Sequence, residues 1–186
     1  DLLLIDAGAR YQMYCADITR TVPISGRFSA SQRAVYDVVL AAHDAAIEAA
    51  RPGKSINDVH DAAMRAITDG VKSLGLAEGT DDEAVENAVR KYYPHKTSHW
   101  LGLEVHDVGD YVTPAAAIPL ASGMVFTVEP GLYIPVDDAA APAALRGIGI
   151  RIEDDILITS DGHEVLTSNL PVSVDAVERL MRGSRP

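Results

Sequence analysis

The sequence predicts an α+β domain in which the helices come early and antiparallel strands stand before and after them. Three observations carry this. Leu2–Asp6 is a short apolar run that closes on the turn signal Ala7-Gly8-Ala9-Arg10. Between Ser29 and Tyr92 the apolar residues recur at helical spacing. From Trp100 onward the chain breaks into short apolar runs separated by Gly, Pro and Asp clusters.

Tyr11–Pro23 reads as a second extended segment that folds back on the first as a hairpin. Ser29-Ala30-Ser31-Gln32 has the form of a capping box. It opens a helix with Val35, Val38, Val39, Ala42, Ala46 and Ala50 along one side, and Pro52-Gly53 stops it. Ser55 caps a second helix with Ile56, Val59, Ala63, Ile67 and Val71 on one stripe, ending at Gly75. Asp81–Tyr92 is a short acidic helix. Strands are expected over Leu103–Val108, Met124–Glu129, Ile148–Thr159 and Glu164–Leu166, with Ser160–His163 as a hairpin turn between the last two. The Ala/Pro-rich stretches Thr113–Pro119 and Asp137–Ala144 are loops, and Val174–Met181 is a closing helix.

The 186 residues suit one domain. With 47% apolar and 23% charged residues the composition is that of an ordinary globular protein. No apolar run approaches the roughly 18–20 residues of a spanning helix. A net charge of −11 argues against nucleic acid or an anionic membrane as partner. One cysteine, Cys15, excludes an intrachain disulfide framework. No leader is visible, and a cytoplasmic setting is the expectation. The chain starts inside a strand, so it is read as a carboxy-terminal fragment, a processed product or one half of a nicked protein.

Four acids stand on strands among apolar neighbours: Asp6, Asp17, Glu129 and Glu153. A carboxylate drawn into an apolar sheet is costly unless it is paired or metal-bound. Each alone reads as a strand-end acid meeting water; four together favour a site. Asp6 and Asp17 lie across the predicted turn and can face each other on paired strands, where a cation between them would relieve their repulsion. Hard oxygen ligands suit Mn²⁺, Mg²⁺ or Co²⁺. Strand alternation puts Arg151, Glu153 and Asp155 on one face, so Arg151 either orients a ligating acid or forms a simple surface pair. His95, His99 and His106 cluster within twelve residues of a glycine-containing loop, which serves a metal site or an acid–base site unless it is chance. His43 and His60 read as helix surface or core positions, His163 as exposed, and Cys15 as core on the face of Asp17.

Five blocks resemble a known family: Ile5-Asp6-Ala7-Gly8; Ala16-Asp17-Ile18-Thr19-Arg20-Thr21; Ser98-His99-Trp100-Leu101-Gly102 through His106-Asp107-Val108-Gly109; Thr127-Val128-Glu129-Pro130-Gly131; and Gly149-Ile150-Arg151-Ile152-Glu153-Asp154-Asp155. They resemble the aminopeptidase P family of pita-bread metallopeptidases, which also include prolidase and methionine aminopeptidase. The resemblance implies a curved antiparallel sheet flanked by helices, with 1–186 as a metallopeptidase catalytic domain lacking its amino-terminal part. It implies two divalent ions, Mn²⁺ first and Co²⁺ or Zn²⁺ as alternatives. Asp6 would chelate one ion, Asp17 and Glu153 would bridge both, and His99 and Glu129 would complete the shell of the other. A metal-bridging hydroxide would hydrolyse the amino-terminal Xaa-Pro bond, with Glu129 moving the proton, His95 and His106 on the substrate side, and Arg151 behind a bridging acid. The partners so implied are a peptide with proline at its second position, the missing amino-terminal portion as a companion chain, and further copies in a homo-oligomer. A prolidase acting on Xaa-Pro dipeptides and a non-catalytic binding module on the same fold are the alternatives.

Overall fold

The computed structural model describes residues 1–77, 79, 81–114 and 116–183. Strand β1 (Leu2–Ala7) pairs antiparallel with β4 (Ile18–Pro23), and a small hairpin, β2 (Arg10–Tyr11) and β3 (Tyr14–Cys15), fills the connection. Its tip, Gln12-Met13, has positive φ at both residues, as a tight two-residue turn requires. Then come α1 (Ala30–Ala49), α2 (Ile56–Ser73) and α3 (Asp82–Tyr92). The remaining elements are β5 (Val125–Val128), β6 (Gly131–Tyr133), β7 (Gly149–Arg151), β8 (Asp154–Ile158), β9 (His163–Val165) and α4 (Val174–Met181).

The expected capping box forms at α1, and the Ser55 cap of α2 proves to be a second one. Ser29 Oγ accepts from Gln32 N–H while Gln32 Oε1 accepts from Ser29 N–H, and Ser55 and Asp58 do the same at α2. Helix α1 lies between α2 and the sheet. Its Val35, Val39, Ala42 and Ala46 share one core with Val59, Ala63 and Ile67 of α2 and with Phe126, Leu132, Ile150 and Ile156 of the strands.

The sheet departs from expectation in one instructive way. Met124–Glu129 forms one strand, β5, as expected, but Ile148–Thr159, expected as a single strand, is split into β7 and β8 at the level where β5 gives way to β6. Pairing of β5 with β8 ends at Val128↔Asp154, and pairing of β6 with β7 begins at Gly131↔Arg151. Pro130 has no N–H to give to the ladder, and the residues skipped include Glu129 and Glu153. The β1–β4 hairpin joins there through a bridge between Thr19 and Glu153. Strand β8 also pairs with β9.

Leu103–Val108 is not a strand. Asp107 folds back into it, its carboxylate accepting from the N–H groups of Leu103 and Val108, so the side chain supplies what a ladder would have supplied. The other loops fall where expected, though Ala115 of Thr113–Pro119 lies outside the described residues. His163 is half-buried rather than exposed, its Nδ1 3.0 Å from the Ala50 carbonyl.

Helices α1 and α2 approach closely because Gly70 has no side chain: a Cβ there would stand 2.1 Å from Val38 Cγ1. Gly70→Ala is therefore expected to destabilise the fold, overpacking of about 1–3 kcal/mol outweighing the roughly 1 kcal/mol of helix propensity gained. Thermal melts should show a drop of about 2–4 °C. Adding Val38→Ala should remove the penalty, and additive effects of the two changes would contradict this packing account.

Candidate metal centre

The interrupted ladder concentrates acids. Asp6 lies opposite Thr19 in the β1–β4 ladder, and Asp17 stands two residues before Thr19 on the same face. Asp6 and Asp17 are thus diagonal neighbours rather than directly opposed, near enough for the Asp6 charge to raise Asp17. Gly8 permits this closure, since a Cβ there would lie 1.9 Å from the Ala16 carbonyl oxygen. Glu153 arrives from the β7–β8 junction. Its N–H donates to the Thr19 carbonyl at 3.0 Å, and its Oε2 accepts from Thr19 Oγ1 at 2.6 Å. Glu129 arrives from the end of β5.

The histidine loop closes the arrangement. His99 Nδ1 lies 3.0 Å from the Trp100 carbonyl, which fixes the proton on Nδ1 and leaves the Nε2 lone pair free. Nε2 points at the acids, 3.3 Å from Glu129 Oε1 and 3.5 Å from Asp17 Oδ2. One ligand atom each from Asp17, His99 and Glu153 lies within 4.8 Å of the others, a spacing that fits a divalent cation. His106 meets His99 edge-to-face, ring centroids 4.4 Å apart.

Arg151 stands at the edge of the acids. It donates to Asp6, to Thr19 Oγ1 at 3.2 Å and to Tyr133 Oη at 3.1 Å. Tyr133 Oη lies 2.8 Å from His95 Nε2, and His95 Nδ1 lies 2.8 Å from the Lys96 carbonyl. One proton assignment satisfies the chain: His95 donates from Nδ1 to the carbonyl and accepts the tyrosine proton at Nε2. Burial, with the Arg151 charge, holds His95 below its usual range, in keeping with that neutral form. Cys15 is half-buried, its Sγ 3.4 Å from the Leu103 carbonyl, on the wall of a cleft of about 520 Å³ lined by Asp6, Asp17, Glu104 and His106.

Packing raises Asp17, Glu129 and Glu153 alike. Burial first, then the neighbouring carboxylates, push Glu153 up to about 8, against a hydrogen bond from Thr19. Burial also pushes Glu129 up to about 7, with Arg151 opposing. Asp17 is raised by burial and by Asp6. The fold brings the residues singled out from sequence into one region: Asp6, Asp17, His95, His99, His106, Glu129, Arg151 and Glu153. Three others were missed. Thr19 and Tyr133 carry no signal beyond their places in the motifs. Asp155 was read only as sharing a face with Glu153; it accepts from the Asp17 N–H at 3.2 Å, and its other oxygen is buried with no partner among the described residues. Burial pushes it up to about 7.

Residues 1–160 match the model of metallopeptidase family M24. The chain is 48% identical over 186 residues to the Xaa-Pro aminopeptidase of Escherichia coli, covering 100% of this chain and 42% of that protein. It is 47% identical over 182 residues to the Xaa-Pro aminopeptidase of Haemophilus influenzae, covering 97% and 42%. Among solved structures, it is similar to the Pseudomonas aeruginosa aminopeptidase PepP, with a TM-score of 0.94 at 47% identity over 98% of this chain and 41% of that one. Proline aminopeptidase P II from Yersinia pestis gives 0.91 at 49% identity over 98% and 42%. The fold is accordingly the pita-bread fold, and the chain spans about two fifths of these relatives' length.

The raised acids set a stability profile. A Glu153 carboxyl at about 8 in the folded state and near 4.5 when unfolded keeps its proton better in the fold. Metal-free protein therefore loses stability as pH rises from about 4.5 to about 8. Glu153→Gln should flatten that decline and raise the metal-free melting temperature at pH 8, by on the order of 5 °C. A melting temperature independent of pH and of this substitution would contradict the electrostatic account.

Proposed function

The chain belongs to metallopeptidase family M24, and from that premise we propose that residues 1–186 form a metal-dependent catalytic domain that hydrolyses the amino-terminal Xaa-Pro bond of peptides. The observation that carries this is the convergence of a free His99 lone pair on the carboxylates of Asp17, Glu129 and Glu153. In this proposal Asp6 would hold one of two divalent ions, Asp17 and Glu153 would be shared between them, and His99 and Glu129 would complete the donors of the other. Manganese is the first choice, with cobalt or zinc as alternatives, because the donors are mostly hard oxygens. When bound, the ions supply Lewis acidity and lower the pKa of a water towards neutrality.

The protein's own residues do the rest. In this proposal Glu129, at the end of β5 beside His99, takes up and returns the proton of the attacking water. His106, beside His99, donates a hydrogen bond to the carbonyl oxygen as charge builds on it. His95, both ring nitrogens engaged by Tyr133 and the Lys96 carbonyl, stands on the substrate side with its ring as the contact surface. Arg151 fixes Asp6 and Thr19. Proline's nitrogen offers no N–H, so a peptidase that requires that hydrogen bond cannot use such a substrate. A companion amino-terminal portion, a homo-oligomeric assembly and a cytoplasmic setting belong to the same proposal. Relatives about 2.4 times longer support further sequence around the pocket. Native mass spectrometry of the isolated protein showing only the lone chain would remove both the companion and the oligomer.

With Mn²⁺ supplied, the protein is expected to release the first residue from Xaa-Pro-Yaa peptides. Asp17→Ala should abolish turnover, and His106→Ala should lower kcat by about 10²–10³-fold. Cleavage of Xaa-Pro dipeptides alone would replace this activity with a prolidase. No cleavage of either by metal-loaded protein would leave a binding module.

A further inference from the structure

Along Ile150–Ile158 the even-numbered side chains form one stripe facing α1: Ile150, Ile152, Asp154, Ile156 and Ile158. The four isoleucines are fully buried, and Asp154, at 2% exposure, is the one charge among them. A carboxylate in such a stripe costs stability that well-packed apolar residues would not, so its presence calls for a role other than holding the core together.

Its partners show what it does. Asp154 Oδ1 accepts from Arg20 Nη2 at 2.7 Å and from Thr167 Oγ1 at 2.5 Å, and His43 Nε2 of α1 lies 2.9 Å from Oδ2. Arg20 reaches on to four carbonyls: Thr19 at 2.9 Å, Glu153 at 2.7 Å, Leu170 at 3.1 Å and Pro171 at 3.1 Å. Thr19 and Glu153 are the residues whose side chains meet at the metal centre on the opposite face. Strand alternation makes the arrangement two-sided. Thr19 and Glu153 face the site, while Arg20 and Asp154, each the next residue along, face the helix and tie the same two peptides together.

We propose that Asp154 is a positioning residue: through Arg20 it locks the Thr19 and Glu153 backbones so that the Glu153 carboxylate stands preset for a divalent cation. This rests on the proposed role of Glu153 as a cation ligand. Arg20 and Asp154 meet as an ion pair with Nη2 2.7 Å from Oδ1, both side chains buried. Guanidinium geometry is needed as well as charge, because an ammonium cannot span four carbonyls and a carboxylate.

The test is Mn²⁺ affinity by calorimetry, together with the melting temperature of the metal-free protein. Asp154→Asn should weaken Mn²⁺ binding by about 10–100-fold, and Arg20→Lys, which keeps the charge, should do likewise. Wild-type affinity in both, even with a lowered melting temperature, makes the cluster purely structural and overturns the proposal. Should Asp154→Asn fail to fold, Thr167→Val, which removes one of its hydrogen bonds, replaces it. A several-fold loss of affinity then supports positioning, and unchanged affinity overturns it. Wild-type protein that binds Mn²⁺ but cleaves no peptide defeats the proposed activity and leaves this inference standing, whereas wild-type protein that binds none overturns both.

Discussion

A single buried carboxylate, Glu153, sets the terms for the rest of the fold. It is 1% exposed, and Glu129, Asp17 and Asp6 all raise its pKa by their charge. Mutual repulsion in a low-dielectric site has few remedies: protonation, hydrogen bonds from the protein, or a cation. The chain uses the second where it can, the Thr19 hydroxyl donating to Glu153 and the Arg151 guanidinium to Asp6. The donor set that remains, with His99 offering a lone pair into the same space, suits the third.

The architecture follows from placing that group. An unbroken sheet would give Glu129 and Glu153 regular partners. The break at Pro130 and Ile152 instead frees both to converge, and the β1–β4 hairpin enters there with Asp6, Asp17 and Thr19. Behind the break, helix α1 covers the isoleucine stripe, and Arg20 with Asp154 rejoins what the interruption separated. Front and back of one short segment thus carry different groups, candidate metal-site residues on the odd positions and the isoleucine stripe with Asp154 on the even ones. On the rim, the Arg10 side chain and the Cys15 N–H of the small hairpin bond the Leu103 and Gly102 carbonyls, which seats the loop that presents His106.

Much of this was legible because local signals agreed with tertiary structure. Capping residues Ser29 and Ser55 and the 3.6-residue periodicity located α1 and α2, since their apolar faces are the core. Asp6, Asp17, Glu129 and Glu153 stood out because an acid inside an apolar strand violates the pattern around it. The failures have physical causes too. Leu103–Val108 alternates like a strand, but the Asp107 side chain captures its N–H groups. The break within Ile148–Thr159 depends on its register against β5 and β6, distant segments that no short window of sequence contains. Asp155 and Tyr133 gain meaning only from what lies across from them. The two-ion assignment and the proline specificity came from family resemblance, whereas the residues alone indicated a cation site of unspecified count.

The central claim is that these five side chains hold divalent metal. Crystals grown with Mn²⁺ and measured near its absorption edge test it most directly. Two anomalous peaks, about 3.5–4 Å apart and ringed by Asp6, Asp17, His99, Glu129 and Glu153, are the expected result. Anomalous density absent from this cluster, or present only at the exposed acids of the surface, would contradict the account.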